Sequence, residues 1–152
     1  MKIQYRPAAP RDAEACIVLR GQTRENSISR PQLADLGITA SSWGAAVESG
    51  KLFGYIGDAS AGMIGYCFGD VDTGEVVVLA LLPEAEGKGI GKILLARVVG
   101  HFISKGHGRL FLGCSNDPAV RSHGFYRHLG WRPTGAMDQR GDETLEYLTA
   151  GH

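Results

Sequence analysis

The segment that most constrains this chain begins at Val76-Val77-Val78-Leu79-Ala80-Leu81-Leu82-Pro83 and runs into Gly87-Lys88-Gly89-Ile90-Gly91. The stretch from Glu75 to Leu82 is nearly all aliphatic and β-branched, which predicts a central strand covered on both faces. Three glycines in five residues predict a turn whose backbone comes close to a ligand. Ile90, Leu94, Val98 and Phe102 then recur every fourth residue, with Leu95, Val99 and Ile103 beside them. Lys88, Lys92, Arg97 and His101 fall on the other side, so the segment predicts an amphipathic helix ending near Gly106. The first amides of such a helix lack internal partners. Together with the helix dipole they suit a phosphate or pyrophosphate, and Lys88 and Lys92 add mobile positive charge nearby.

Three phosphate-binding patterns can be tested on this turn. A Walker A loop fails, because Glu86 stands at the first glycine position and Ile93 where Ser or Thr is required. The dinucleotide fingerprint fails because Lys92 takes its last glycine position, midway along the chain instead of early in a βαβ unit. The third pattern is Gln or Arg, two free positions, Gly, one free position, then Gly or Ala. Gly89 and Gly91 fit it, and Glu86 stands where Gln or Arg is usual.

The rest of the chain reads as alternating elements. Ile3–Arg6 predicts a strand broken by Pro7 and Pro10, and Asp12 a cap for a helix over Ala13–Arg20. Gly21–Pro31 is polar and predicts a loop. Pro31–Leu36 and Thr39–Glu48 predict short helical pieces, with Thr39 as a cap. Lys51–Gly57 and Met63–Phe68 predict a hairpin, and Arg109–Cys114 a strand. Asp117 or Pro118 opens a helix ending at Leu129-Gly130. Trp131–Met137 and Glu143–Leu148, around the Gln139–Asp142 turn, predict a terminal hairpin.

Taken with Gly124-Phe125-Tyr126-Arg127-His128-Leu129-Gly130-Trp131, the order and spacing of these pieces resemble the GNAT superfamily of acyl-CoA-dependent N-acyltransferases. The resemblance covers nearly the whole chain. It implies one mixed α/β domain over residues 1–152: a twisted, mostly antiparallel sheet of about six or seven strands with a central parallel pair and flanking helices. It implies acetyl-CoA as cosubstrate, its pyrophosphate held by the amides of Gly87, Lys88, Gly89, Ile90, Gly91 and Lys92. The pantetheine arm would lie along Leu79, Ala80 and Leu81, with an oxyanion donor near Ala80–Leu81. A carboxylate at Glu86 is unfavourable beside a pyrophosphate unless it points away.

Acetyl transfer to an amine needs a base, an oxyanion donor and a proton for the departing thiolate. Tyr126, where the family places a tyrosine near the sulfur, is the candidate acid; a ring packed in the core is the alternative. Glu75, eleven residues before Glu86, matches the offset of a glutamate base in the resembled histone acetyltransferases. A solvated residue after the Thr73-Gly74 turn is its alternative, with ordered water as base. Asn116 stands three residues early for the family's asparagine, and Asp117 reads as a helix cap. Arg121 is a candidate for the nucleotide phosphate or a solvated residue. The two early helices and the loop Gly21–Ser42 are expected to form the acceptor pocket, with Trp43, Tyr66 and Phe68 as candidates to line it, core packing being the default for Trp43.

The remaining signals bound the partners. Sixteen basic residues balance sixteen acidic ones, which disfavours nucleic-acid and anionic-membrane partners. No apolar run approaches the ~20 residues of a membrane span, and the start of the chain has no apolar signal core. Cys16, Cys67 and Cys114 suit reduced thiols, so a cytoplasmic location is expected. His123 and His128 are five apart, with no completing ligand, so no metal is expected and both histidines are read as facing solvent. A Cys–His nucleophile built on Cys114 is the weaker chemistry. The expected partner is a small-molecule or peptide amine, and an open sheet edge suits a homodimer. Two other readings stay open: a non-catalytic acyl-CoA sensor of the same fold, and a nucleotide-binding domain of another class.

Overall fold

A computed structural model describes residues 2–149. Among these residues seven strands form one sheet: β1 (Gln4–Pro7), β2 (Leu52–Ala59), β3 (Gly62–Asp70), β4 (Glu75–Leu81), β5 (Arg109–Cys114), β6 (Arg132–Met137) and β7 (Glu143–Leu148). Their spatial order is β1-β2-β3-β4-β5-β7-β6. Only β4 and β5 run parallel; every other neighbouring pair is antiparallel. This is the mixed sheet with a central parallel pair that the sequence predicts.

Among the described residues five α-helices flank it: α1 (Ala13–Arg20), α2 (Arg30–Asp35), α3 (Ala40–Ser49), α4 (Ile90–Ser104) and α5 (Arg121–His128). The Thr39 hydroxyl accepts from the Ser42 amide at 3.1 Å, so Thr39 caps α3 as expected. Two other caps are not where the sequence puts them. Asp12 makes no cap bond to α1. Asp117 accepts from the Ala119 amide at 2.9 Å within a local turn, and α5 starts only at Arg121. An Asx turn satisfied on the spot competes with helix initiation.

The sheet separates two cores. On one face α4 lays Ile90, Leu94, Leu95, Val98 and Phe102 against Val76, Leu110, Leu112 and Leu145, with Tyr126 and Trp131 closing the end. Ile103, expected beside this stripe, is 47% exposed. On the other face α1, α2 and α3 bring Cys16, Ile17, Leu33 and Trp43 onto Ile56, Tyr66, Phe68 and Ala80. On β3, Tyr66 and Phe68 face this second core and Cys67 the first, as the two-residue period of a strand requires, and a bulge at Ile64 breaks that alternation.

Asp12 joins α1 to the sheet. It is 7% exposed, and its carboxylate accepts from Arg6 Nη1 (2.8 Å), Arg6 Nη2 (2.9 Å) and the Ala9 amide (2.7 Å). Arg6 Nε also donates to Asp58 on β2 at 2.7 Å. Burial pushes the Asp12 carboxyl up, but the Arg6 and Ala9 hydrogen bonds outweigh it and hold it below the usual carboxylate range. The resulting stabilisation is present above the unfolded-state value of about 3.9 and is lost as pH falls through the depressed folded value. Asp12→Asn is therefore expected to cost about 1–3 kcal/mol near neutral pH. In thermal unfolding followed across pH, the gap to wild type should close under acid conditions.

Candidate active site

The site is created where the sheet comes apart. β4 pairs with β3 along its length, from Asp70 opposite Glu75 to Gly65 opposite Leu81. With β5 it shares a single register pair, Glu75 opposite Phe111, supported by the Phe111 amide donating to the Gly74 carbonyl at 3.1 Å. Past that point the parallel strands diverge and the β5-facing edge of β4 is free. The Leu82 amide donates to Ile64 on the β3 side at 2.9 Å. By alternation, Ala80 turns its main-chain groups toward β3, while Leu79 and Leu81 turn theirs to the open edge. A bulge leaves Val77 without a β3 partner and 46% exposed. The expected cover on both faces holds at Val76, in the core beneath α4, and at Ala80, in the core beneath α1–α3, and fails at Val77. Val77, Leu79 and Leu81 line a cleft of about 900 Å³.

The glycine-rich turn closes one end of the cleft. Gly87 and Gly89 have φ of 74° and 79°, where a side chain would be strained, and a Cβ at either would meet nothing within 4 Å. The first intrahelical bond of α4 runs from the Ile93 amide to the Gly89 carbonyl at 3.2 Å. The amides of Ile90, Gly91 and Lys92 therefore have no acceptor in their own helix, and all three residues line the cleft. Lys88 is exposed and lies outside the lining, and the Ala80 side chain is buried in the core beneath α1–α3. Glu86 does not present an uncompensated charge here: Arg24 Nε donates to its Oε1 at 2.9 Å.

Glu75 and Tyr126 line the same cleft. Burial raises the Glu75 carboxyl above its ordinary value, Asp70 and Asp138 raise it further, and Arg140 opposes them. Tyr126 is 8% exposed, and burial pushes its phenol well up, so it is held protonated. The arrangement supplies free main-chain donors for an anion, a carboxylate poised to accept a proton and a phenol able to give one. Arg121 and His128 also line the cleft; Asn116 is exposed and outside it.

A second cavity of about 350 Å³ adjoins the first and is lined by Leu33, Leu36, Ile38, Trp43, Leu52 and Phe68. Tyr66 is not among its lining residues. It is fully buried, with its hydroxyl donating to the Cys16 carbonyl at 3.1 Å, so its expected place in the acceptor pocket is corrected to the core. His123 does not face solvent as expected but is half-buried, 3.9 Å from Glu143. Among the described residues no group of three His, Cys, Asp or Glu side chains gathers to hold a metal. No helix among them is long and apolar enough to cross a membrane.

Sequence reasoning assigns the loop Gly21–Ser42 to the acceptor pocket; its stretch between α1 and α2 does more than that. It reaches both walls of the cleft: Arg24 to Glu86, Asn26 Nδ2 to the Leu79 carbonyl at 3.3 Å, and Glu25 to the Arg121 amide at 3.0 Å. Glu25 thus takes the helix-start position expected of Asp117. These partners lie 53 to 96 residues away, beyond any local signal. Only the polar composition of Gly21–Pro31 marks the loop.

A family model described as the acetyltransferase (GNAT) family matches residues 18–131. No curated protein sequence matches the chain. Among solved structures, the PaiA N-acetyltransferase from Thermoplasma acidophilum in complex with coenzyme A is 20% identical, with a TM-score of 0.73 over 98% of this chain and 100% of that one. A phosphinothricin acetyltransferase from Sinorhizobium meliloti in complex with AcCoA is 22% identical, with a TM-score of 0.72 over 99% and 91%. The ribosomal-protein-S18-alanine N-acetyltransferase from Escherichia coli is 14% identical, with a TM-score of 0.68 over 99% and 97%. At these identities the likeness is one of fold.

The thiols provide a direct check on the chemistry. Cys114 borders the cleft but is only 6% exposed, and burial, with Glu143 adding to it, pushes its thiol up to about 11. Burial pushes Cys16 and Cys67 up as well. About one Cys114 in a thousand would be thiolate at pH 8. Folded protein is therefore expected to resist iodoacetamide over a period that fully labels unfolded protein. Rapid labelling of Cys114, followed by mass spectrometry, would favour a thiol nucleophile instead.

Proposed function

Because the chain belongs to the GNAT acetyltransferase family, we propose that it transfers the acetyl group of acetyl-CoA to a primary amine by direct attack within a ternary complex. One observation carries this reading. The long cleft and the apolar cavity meet at Glu75, Val77 and Val78, so a thioester and an amine can approach one point from opposite sides.

The chain's own groups divide the work. The amides of Ile90, Gly91 and Lys92 receive the pyrophosphate, and the open edge at Leu79 and Leu81 receives the pantetheine amides in place of the missing strand. The thioester supplies the electrophile. Glu75 takes the proton from the attacking amine, directly or through water; its raised carboxyl brings it nearer to neutral pH, where a base is most effective. Of the two residues first considered for the oxyanion, Leu81 is favoured, because Ala80 turns its main-chain groups into the ladder with β3. The Tyr126 phenol gives a proton or hydrogen bond to the departing sulfur. The bond to nitrogen forms first, giving the oxyanion; its collapse breaks the bond to sulfur, and no enzyme-bound acetyl group is involved.

Release of free coenzyme A with a panel of amines tests this. Glu75→Gln is expected to lower kcat/KM by about 10²- to 10⁴-fold, the usual range for loss of a general base. Because Glu75 must be ionised to act, wild-type activity should fall as pH drops through its raised value, and this limb should vanish in Glu75→Gln. Tyr126→Phe should lower kcat with little change in KM for acetyl-CoA. Equal turnover by wild type and both variants would refute these roles. Coenzyme A binding with no amine turned over would favour the non-catalytic sensor.

The charge balance at the turn gives a second test. Arg24→Ala leaves Glu86 unpaired beside the pyrophosphate. The KM for acetyl-CoA should rise about two- to fivefold, the range of an exposed ion pair. Adding Glu86→Gln should restore it.

A further inference from the structure

Among the described residues three buried side-chain polar atoms have no hydrogen-bond partner: Arg20 Nη1, Thr23 Oγ1 and Trp43 Nε1. They are not scattered. Thr23 lines the long cleft, Trp43 lines the apolar cavity, and Arg20 lines both where they meet. Each carries a hydrogen to donate, and Arg20 also carries a full charge. Buried donors are almost always satisfied, and a buried charge without a counter-ion is costlier still. Burial disfavours the Arg20 charge, and the titratable groups acting on it from neighbouring elements are the Tyr66 and Tyr126 phenols, both kept neutral by burial, and Arg140; no carboxylate is among them. Arg140, from the turn between β6 and β7, is a second guanidinium lining both cavities.

On the transferase reading above, we infer that the acceptor is an amine bearing a carboxylate and an apolar side chain, with Arg20 as the residue that selects it. The carboxylate supplies the missing counter-charge, since a guanidinium presents its N–H groups in a planar fork that matches it. Arg140 contributes the second positive charge. The amine then falls at Glu75, which lines the same junction, and the side chain fills the cavity between Leu33, Ile38, Trp43 and Phe68. The cavity volume of about 350 Å³ lies at the small end of the roughly 300–1,000 Å³ of small-molecule sites. That suits a single α-amino acid with a large aliphatic or aromatic side chain. The Trp43 indole N–H is left to donate to a ligand oxygen.

The test uses the full chain, free and loaded with acetyl-CoA. L-Phenylalanine, L-leucine and L-tryptophan are compared with their α-amides and with the amines lacking the carboxyl group. The acids are expected to raise the melting temperature and to be acetylated with kcat/KM about 10- to 100-fold above their amides, the value of hydrogen bonds to a charged group. Arg20→Gln should erase that preference through KM for the acids, with kcat falling less. Arg20→Lys, which keeps the charge without the fork, should recover part of it. Trp43→Phe should raise KM for the acids by a smaller factor. The shift produced by acetyl-CoA alone checks that each variant is folded.

Equal use of acids, amides and amines would overturn the proposal. So would acids that neither bind nor react with protein that holds acetyl-CoA, or an acid preference surviving in Arg20→Gln. Failure to hold acetyl-CoA would count against the transferase reading itself. The preference for acid over amide in the free protein would still decide whether Arg20 forms a carboxylate site.

Discussion

Everything in this molecule that bears on chemistry follows from one unmade set of hydrogen bonds, those between β4 and β5 beyond Glu75 and Phe111. Parallel strands in a sheet interior normally pair along their whole length. Here pairing stops after one register pair, and a bulge at Val77 bends β4 as it leaves. The free edge at Leu79 and Leu81 is a strand-shaped vacancy in mid-sheet. An unpaired edge inside a sheet is costly unless something fills it. In the protein alone, Asn26 fills part of it by donating to Leu79. In the proposed reaction an extended amide-bearing arm replaces that contact.

The opening sets where charge can sit. At its turn end the free amides of α4 favour an anion, so a carboxylate at Glu86 is tolerable only because Arg24 neutralises it. At its strand end Glu75 is half-buried near Asp70 and Asp138, which makes its carboxyl more basic. Where the cleft meets the apolar cavity, alongside Glu75, stands Arg20, the last residue of α1, with no counter-charge of its own. Positive groups thus stand at the turn and at Arg20, with the Glu75 carboxylate beside the latter. That is the pattern expected of a site meant to hold a diphosphate, a neutral reacting centre and a second, charged substrate in sequence.

The fold was largely legible because its signals are local and repeated. The aliphatic run at Val76–Leu82 and the four-residue spacing from Ile90 to Phe102 are each enough to name a strand and a helix. Ends governed by a competing local turn were not legible. Asp117 looks like a helix cap, yet its own Asx turn holds the chain back until Arg121. The same limit applies to burial. Val77 reads as a core residue from its neighbours, and only the bulge and the absent β5 partner place it against the cleft.

From the sequence by itself came the strand, glycine turn and amphipathic helix, and with them an anion site at the start of α4, because backbone geometry and glycine's freedom act over a few residues. Glu75 and Tyr126 were named through the resemblance to the GNAT superfamily. That they line one cleft, that Arg24 compensates Glu86, and that Arg20 faces a cavity unpaired were decided by the tertiary structure. Those facts depend on contacts between residues far apart in the chain, and on which buried charges lack a partner. No window of sequence contains both members of such a pair.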